Sequence, residues 1–153
     1  MKTCVVISDS HGLLPIDEDF WNVLDESDYI IHLGDGIREI QKLKEKYKDK
    51  FIYVYGNCDS FSQEPFKIID IEGVKVLITH GHKFSVKDDL FDLAFECEYQ
   101  NVHYGLYGHT HRPQIDEINK NVVLINPGSI TYTRTYCYLV IANNNLTYKI
   151  VHK

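Results

Sequence analysis

The hydrophobic pattern of this chain consists mainly of short apolar runs separated by polar segments. The runs contain many β-branched and aromatic residues and are shorter than most helices, a combination that favours buried strands. They cover 3–8, 29–34, 51–56, 74–79, 103–108, 121–126 and 136–142. We therefore predict a strand at each of these positions.

Helical spacing of apolar residues occurs between some of these runs. The segment 36–48 has its lysines mainly in the C-terminal half, and 87–100 places Asp88 and Asp89 where a helix N-terminus favours acidic residues. The apolar positions are Ile37, Ile40, Leu43 and Tyr47 in the first segment and Leu90, Leu93, Ala94 and Cys97 in the second. A weaker helical pattern covers 17–28.

Strands alternate with helices in the first two-thirds of the chain, whereas the last third contains only strand patterns. Alternation predicts parallel pairing, because parallel neighbours need crossover connections. The end of the chain predicts two hairpins, one around the turn 119–121 and one around 143–145. We expect an α/β fold: one domain over 1–153, with two facing sheets flanked by helices.

Composition limits the function classes. The 153 residues include 16 basic and 22 acidic residues, a formal charge of -6, so stable nucleic-acid binding by counterion release is not expected. No apolar run approaches a membrane span, the start turns polar after Ile7, and the four cysteines are scattered. We expect a cytoplasmic protein without membrane attachment, in which any anionic substrate needs a local positive charge such as a metal ion.

Polar side chains with metal-binding capacity follow five of the predicted strands. They are Asp9, His11, Asp35, Asn57, His80, His109 and His111. Each alone has an ordinary structural explanation as a turn or strand-end residue. Together they predict a ligand site, because the carboxyl ends of strands in α/β sheets form the binding crevice.

The chemistry of this set suits Mn²⁺, Fe, Co or Zn²⁺. Seven ligands exceed the needs of one ion with open positions, whereas a pair of ions about 3.5–4 Å apart would use them if one carboxylate bridged both. The pair His109 and His111 adds a geometric expectation. If the strand before it stayed extended, both rings would point to one face.

The motifs DSH, GDG, GNCD, THGH and GHTH occur in this order, followed by NPGS at 126–129. This set resembles the calcineurin-like metallophosphoesterase superfamily, in particular its small bacterial and archaeal phosphodiesterases. The resemblance implies two mixed sheets with helices outside, a four-layer sandwich. It also implies two metal sites bridged by Asp35, with ligands Asp9, His11, Asp35 and His111 in one and Asp35, Asn57, His80 and His109 in the other.

The function implied is a dinuclear metal-dependent phosphoesterase that hydrolyses phosphodiesters of small substrates by attack of a metal-bound hydroxide. We expect two divalent ions per chain, manganese first, with Fe, Co, Ni or Zn as alternatives. Asp35 and Asn57 are assigned catalytic roles together with His82, which could contact substrate or donate a proton. For His82 an ordinary structural role is the alternative.

Two other functions compete with this interpretation. A retromer subunit with a similar fold serves as a protein-interaction scaffold, so a metal-binding scaffold is the alternative function; a homo-oligomer is also left open. A metallo-β-lactamase-type hydrolase would need an H-x-H-x-D-H run, which the stretch after His109 lacks.

One motif position departs from many family members. Cys58 stands where they carry a histidine that can protonate the leaving group, and a thiol with a pKa near 8.5 is a poor substitute. Asp59 receives no chemical role. His32 is interpreted as a strand or core histidine, while Arg112 and Arg134 are either phosphate ligands or ordinary surface arginines.

Overall fold

The computed structural model describes residues 1–14, 17–60 and 64–153, which form two five-stranded mixed sheets and three α-helices. The strands are β1 Lys2–Ile7, β2 Tyr29–His32, β3 Phe51–Tyr53, β4 Lys67–Ile71, β5 Val74–Ile78, β6 Tyr104–Leu106, β7 Pro113–Ile118, β8 Val122–Pro127, β9 Thr135–Ala142 and β10 Asn145–His152. The helices are α1 Glu18–Glu26, α2 Ile37–Lys46 and α3 Phe91–Tyr99, with a short 3-10 turn at His82–Phe84.

Each sheet contains three parallel strands, which run to one edge in the first sheet and lie at the centre of the second. The first sheet has the order β10-β9-β1-β2-β3, in which β1, β2 and β3 are parallel and β9 and β10 form the predicted terminal hairpin. The second has the order β4-β5-β6-β8-β7, with β5, β6 and β8 parallel and β7 antiparallel to β8, as the other hairpin predicted. The predicted α/β fold with two facing mixed sheets is confirmed.

Alternation of side chains along the strands produces the layers. Val6 in β1 and Ile78 in β5 belong to the apolar cluster between the two sheets, which contains residues of both. Val5 faces the other way and packs in a cluster with Phe20 of α1 and Leu43 of α2. A third cluster joins α3 to the outer face of the second sheet. Helix, sheet, sheet and helix therefore form four layers.

The differences from the predicted elements lie at edges and ends. Strand β4 was not predicted, because its short run carries Lys67 and Asp70 and most of its residues are exposed or half-buried. Strands β2, β3 and β6 end at residues 32, 53 and 106 rather than at 34, 56 and 108. Helix α3 begins at Phe91, and Asp89 accepts a hydrogen bond from the Phe91 amide (3.0 Å) just outside the helix.

Two further expectations concern the membrane and the cysteines. None of the helices in the described parts of the chain is long and apolar enough to cross a bilayer. All four cysteines are unpaired; Cys58 is exposed and the other three are buried.

Candidate metal centre

The seven predicted ligands lie in the turns that follow β1, β2, β3, β5 and β6. Five of them have a left-handed backbone conformation, which Asp, Asn and His adopt more readily than other non-glycine residues. Their φ angles are 55° at Asp9, 47° at His11, 61° at Asp35, 72° at His109 and 63° at His111. Such conformations cost energy and cluster at functional sites. Each turn ends the strand sharply and directs a polar side chain toward one edge of the sandwich.

Glycines before two of the ligands permit close packing of these turns. A Cβ at Gly56 would overlap the Asp35 carboxylate, and a Cβ at Gly108 would overlap the Ser8 hydroxyl and lie 2.7 Å from Asp9 Oδ2. The side chains of the first sheet can therefore contact the backbone of neighbouring turns directly.

A first group of ligand atoms is formed by Asp9, His11 and His111, which lie close enough to hold one ion. Asp9 Oδ1 is 3.3 Å from His111 Nε2 and 3.7 Å from His11 Nε2, and the two imidazole nitrogens are 3.1 Å apart. Asp9 is fully buried, whereas both histidines are partly exposed. The group is anchored in the protein and open on one side.

A second group contains Asp35, His80 and His109. His80 Nε2 lies 3.2 Å from Asp35 Oδ2, 3.2 Å from His109 Nδ1 and 3.0 Å from Asn57 Oδ1. Asn57 is thus brought to this group as well, although its side chain is otherwise exposed.

The two groups adjoin each other at Asp35. Its Oδ2 lies 3.2 Å from His80 Nε2 in the second group and 3.8 Å from His11 Nε2 in the first. Asp9 Oδ1 is also 3.9 Å from His80 Nε2. All seven predicted ligands therefore converge, and one carboxylate oxygen lies between the two groups.

These side chains fit divalent metal ions. Asp9 Oδ1 is buried and has no hydrogen-bond partner among the described residues, although three imidazole nitrogens surround it. A buried carboxylate oxygen without a donor is costly unless a cation or proton compensates it. His80 Nδ1 lies 2.8 Å from the Leu33 carbonyl, a contact that orients the ring so that Nε2 points toward Asp35 and Asn57.

Charge interactions within the second group alter its proton affinities. Burial opposes ionisation of Asp35, but the hydrogen bond and charge of His80 outweigh it and hold the pKa of that carboxyl well below its usual range. Burial likewise opposes protonation of His80, yet Asp35 and Asp9 raise its pKa. Burial and then the charge of His80 lower the pKa of His109 to about 4. His109 therefore presents a neutral ring at physiological pH, as a metal ligand must.

The extended geometry considered for His109 and His111 is wrong. Strand β6 ends at Leu106, and both histidines have positive φ angles, so the alternation of a strand does not apply. His109 joins the second group and His111 the first. The H-x-H spacing places one ring in each group instead of directing both to one point.

Asp59, which received no role from the sequence, holds two of the ligand turns together. Its Oδ2 accepts hydrogen bonds from the amides of Asp35 (2.9 Å) and Gly56 (2.7 Å), and its Oδ1 accepts one from Gly36 (3.0 Å). The Cys58 amide in turn donates to Asp35 Oδ1 (2.8 Å). Position 59 therefore fixes the backbone that carries Asp35.

The NPGS segment supports the remaining turns. The Asn126 amide group donates to the Gly108 carbonyl (3.2 Å) and to Thr110 Oγ1 (2.9 Å). Ser129 Oγ donates to the Asp9 carbonyl (2.8 Å). The motif was visible in the sequence, but its hydrogen bonds to the turns of β1 and β6 depend on the tertiary structure.

His32 and His82 differ in position. His32 is fully buried in β2; its Nδ1 accepts from the Gly34 amide (3.0 Å) and its Nε2 lies 2.9 Å from Ser10 Oγ, so the structural interpretation holds. His82 stands beside the second group, with its ring centroid 5.5 Å from that of His80. Its buried Nδ1 has no hydrogen-bond partner among the described residues.

One cleft borders the ligand groups, and a second lies near Thr110, which stands between the two histidines of GHTH. The first, of about 230 Å³, is lined by His11, Asp35, the first turn of α2 with Arg38, and Cys58. Burial and the negative charge of Asp35 raise the pKa of the Cys58 thiol. Arg112 lines a separate cleft of about 440 Å³ next to Thr110.

Arg134 stands apart from both clefts and lines a surface with Asp17 and Lys153. Neither Arg112 nor Arg134 lines the cleft of about 230 Å³ beside the ligand groups. The described residues also form a third cluster of potential ligand atoms, from His11, Asp35 and Cys58, at this cleft.

Comparison with known proteins agrees with this geometry. Residues 1–144 match the model of the calcineurin-like phosphoesterase superfamily domain. The chain is 29% identical over 153 residues to the probable metallophosphoesterase YsnB of Bacillus subtilis, covering 94% of this chain and 86% of the relative. It is 27% identical over 146 residues to the phosphodiesterase MJ0936 of Methanocaldococcus jannaschii, covering 80% of this chain and 81% of the relative.

Solved structures share the fold over nearly the whole chain. A predicted phosphoesterase from Streptococcus pneumoniae superposes with a TM-score of 0.79 at 25% identity, covering 99% of this chain and 89% of that one. Vacuolar protein sorting 29 from Cryptosporidium parvum gives a TM-score of 0.75 at 18% identity, covering 99% and 98%. The second likeness concerns the fold alone.

Proposed function

Since this chain belongs to the calcineurin-like phosphoesterase superfamily, we propose that it is a dinuclear metal-dependent phosphodiesterase. The observation that carries the proposal is the position of Asp35 Oδ2, between His80 Nε2 at 3.2 Å and His11 Nε2 at 3.8 Å. A carboxylate shared by two ligand groups is what a pair of metal ions requires.

The ligands divide into two sets around that carboxylate. Asp9, His11 and His111 would hold one cation with Asp35, and Asn57, His80 and His109 would hold the other. When bound, the two cations would lower the pKa of coordinated water and offset negative charge on the phosphoryl oxygens. Carboxylate and amide oxygens suit Mn²⁺, and imidazoles suit Fe, Ni or Zn; we propose Mn²⁺ first, with Fe, Co, Ni or Zn as alternatives.

The cleft of about 230 Å³ is the proposed place for the ester. Gly36, Ile37 and Arg38 at the beginning of α2 line it, and amides at a helix N-terminus favour bound anions. Arg38 adds a guanidinium that can pair with a phosphate oxygen. Cys58 lies in the same wall, where its elevated pKa makes the thiol a weak proton donor.

A phosphodiester preference has two supports. MJ0936, to which the chain is similar, is named a phosphodiesterase. In addition, Arg38 is the one basic side chain apart from His11 among the described residues that line the cleft. A diester carries one negative charge, whereas a monoester carries about two at neutral pH and would benefit from more cations.

The competing interpretation is a metal-binding scaffold for other proteins. Its support is the fold likeness to vacuolar protein sorting 29, which does not extend to function at that level of identity. The complete set of converging ligands in the described part of the chain favours catalysis.

The test combines metal analysis with a substrate panel. Purified protein should bind about two Mn²⁺ ions per chain and hydrolyse bis(p-nitrophenyl) phosphate faster than p-nitrophenyl phosphate. Chelation should abolish both reactions. His111→Ala should lose activity, while His103→Ala, which changes a histidine outside both ligand groups, should retain it. Fewer than two ions, or hydrolysis unaffected by chelator, would contradict the dinuclear mechanism.

A further inference from the structure

Tyr132 is an exposed aromatic residue at the edge of the proposed metal centre. Its ring stacks on that of His111, with centroids 5.3 Å apart and planes 23° from parallel, and lies 5.6 Å from the ring of His11. It nevertheless remains 63% exposed. One side of the ring is supported by histidine while a large apolar area is left to solvent.

The backbone around Tyr132 is hydrogen-bonded to the turn after β1, which carries Asp9 and His11 of the first ligand group. The amide of Tyr132 donates to Ser129 Oγ (2.9 Å), which itself donates to the Asp9 carbonyl (2.8 Å). Thr131 Oγ1 lies 2.8 Å from the Ser10 carbonyl and 2.6 Å from the Leu13 carbonyl. The tyrosine is therefore held at a set position relative to Asp9, which reduces the ordering cost of a ligand that stacks on it.

A second exposed apolar side chain lies in the turn after β1. Leu13 follows His11 by two residues and is 66% exposed. Exposed aromatic and aliphatic side chains near a concave polar site often mark the surface that receives the organic part of a ligand. The hydroxyl of Tyr132 has no hydrogen bond to any residue that the structure describes, and the side chain makes its contacts with His11 and His111 through the ring.

We propose that Tyr132 is a stacking platform for a planar aromatic group attached to the phosphate, either a nucleobase or an aryl ester. This assignment rests on the proposed phosphodiesterase function and adds the substrate class. A planar ring can lie against the exposed surface of Tyr132 while the phosphate occupies the ligand groups beside His11 and His111. Stacking tolerates any base because every base has a π-face.

A purely structural role for Tyr132 makes a different prediction. If the ring only held His111 in place, its removal would weaken every phosphate ligand by the same factor. If the ring receives the substrate, its removal would weaken only those ligands that carry an aromatic group. The two roles are separated by ligand pairs that differ in the ring alone.

The experiment measures equilibrium binding to Mn²⁺-loaded protein by calorimetry, with phosphonate analogues that lack the scissile ester bond: the analogue of adenosine 5′-monophosphate against that of ribose 5-phosphate, and the analogue of phenyl phosphate against that of ethyl phosphate. A stacked base contributes about 1–3 kcal/mol, and a platform open to solvent should give the lower value, roughly 5-fold tighter binding. Tyr132→Phe should keep this ratio and Tyr132→Ala should reduce it to about 1. An advantage for the adenosine ligand alone identifies a nucleobase platform, and an advantage for both aromatic ligands identifies a general aromatic one.

Tyr99→Ala is the matched control, because Tyr99 is 75% exposed on α3 and outside both ligand groups. It should leave both ratios unchanged. Equal binding of both members of each pair to the wild type, or equal losses for all four ligands in Tyr132→Ala, would overturn the platform. Because binding is measured, failure of the protein to hydrolyse diesters would contradict the proposed function without hiding this result.

Discussion

Removal of the Asp59 carboxylate tests whether that side chain, although not itself a proposed ligand, holds the turns of the candidate metal centre in place. Three backbone amides donate to it, from Asp35 and Gly56 to Oδ2 and from Gly36 to Oδ1, at 2.7–3.0 Å. A hydrogen bond to a charged group contributes about 1.5–3 kcal/mol. Asp59 is partly exposed, so water can replace part of this stabilisation, and we expect each hydrogen bond to contribute about 1 kcal/mol.

Asp59→Ala should therefore lower the free energy of unfolding by about 3 kcal/mol, within the 5–15 kcal/mol typical of a domain, so the variant still folds. Asp59→Asn can keep the two bonds to Oδ2 only by turning its amide nitrogen toward the Gly36 N–H, and should lose about 1–2 kcal/mol. Because the turn of Asp35 loosens, both variants should bind Mn²⁺ about 10- to 100-fold more weakly.

Urea unfolding in chelator gives the stability change, and competition with a chromophoric chelator gives the metal affinity. Asp70→Ala is the control, because Asp70 Oδ1 accepts one amide hydrogen bond, from Gly73 (2.8 Å), in the exposed β4–β5 turn. It should cost about 1 kcal/mol or less and leave metal binding unchanged. Wild-type stability and wild-type metal affinity in Asp59→Ala would refute the assignment.

Substitutions at four other positions test individual residues. Asp35→Asn should reduce both the hydrolytic activity and the number of bound ions, whereas His82→Ala should lower the activity by at most about 10- to 100-fold and keep both ions. Equal activities of the two variants at saturating metal would mean that Asp35 is not a bridge. Cys58→Ala should lower the hydrolysis rate by much less than the roughly 10²–10⁴-fold expected when a general acid is removed, and Cys58→His should speed the hydrolysis of esters with poor leaving groups. A large loss of rate in Cys58→Ala that is confined to esters with poor leaving groups would show that the thiol does protonate them. Burial first, and then the charge of His80, lower the pKa of His32 to about 3, so the unfolded chain takes up a proton below pH 6.5 that the folded chain does not. Stability in chelator should fall from pH 6.5 toward pH 3 by up to about 1.4 kcal/mol per pH unit from this group, and His32→Gln should flatten the slope; an unchanged slope would contradict it.

The order of strands and helices was readable from the sequence because burial imposes its period on the residues. The runs that became β1, β5 and β8 are apolar on both faces, since each strand lies between the sandwich core and an outer layer of helices. Strand β4 lacks that pattern because it is an edge strand with polar residues, and only its ladder with β5 identifies it.

The candidate ligand residues were also readable, because parallel strands bring their carboxyl ends to one edge and a polar residue at each end is conspicuous. Their division between two groups was implied by the family resemblance, but strand periodicity alone did not predict it. It depends on positive φ angles at Asp9, Asp35 and the two histidines of GHTH, and an αL turn sends a side chain in a direction that strand periodicity does not predict.

What only the tertiary structure decided is the support around the ligands. Asp59 bonds residues 23 and 24 positions away, and Ser129 reaches the Asp9 carbonyl across 120 positions. Tyr132 stacks on His111 from a different turn. A sequence pattern encodes which residues are buried along each element, because burial repeats with the element's own period. Contacts between turns have no such period, because they arise only when the two sheets pack and bring those turns together.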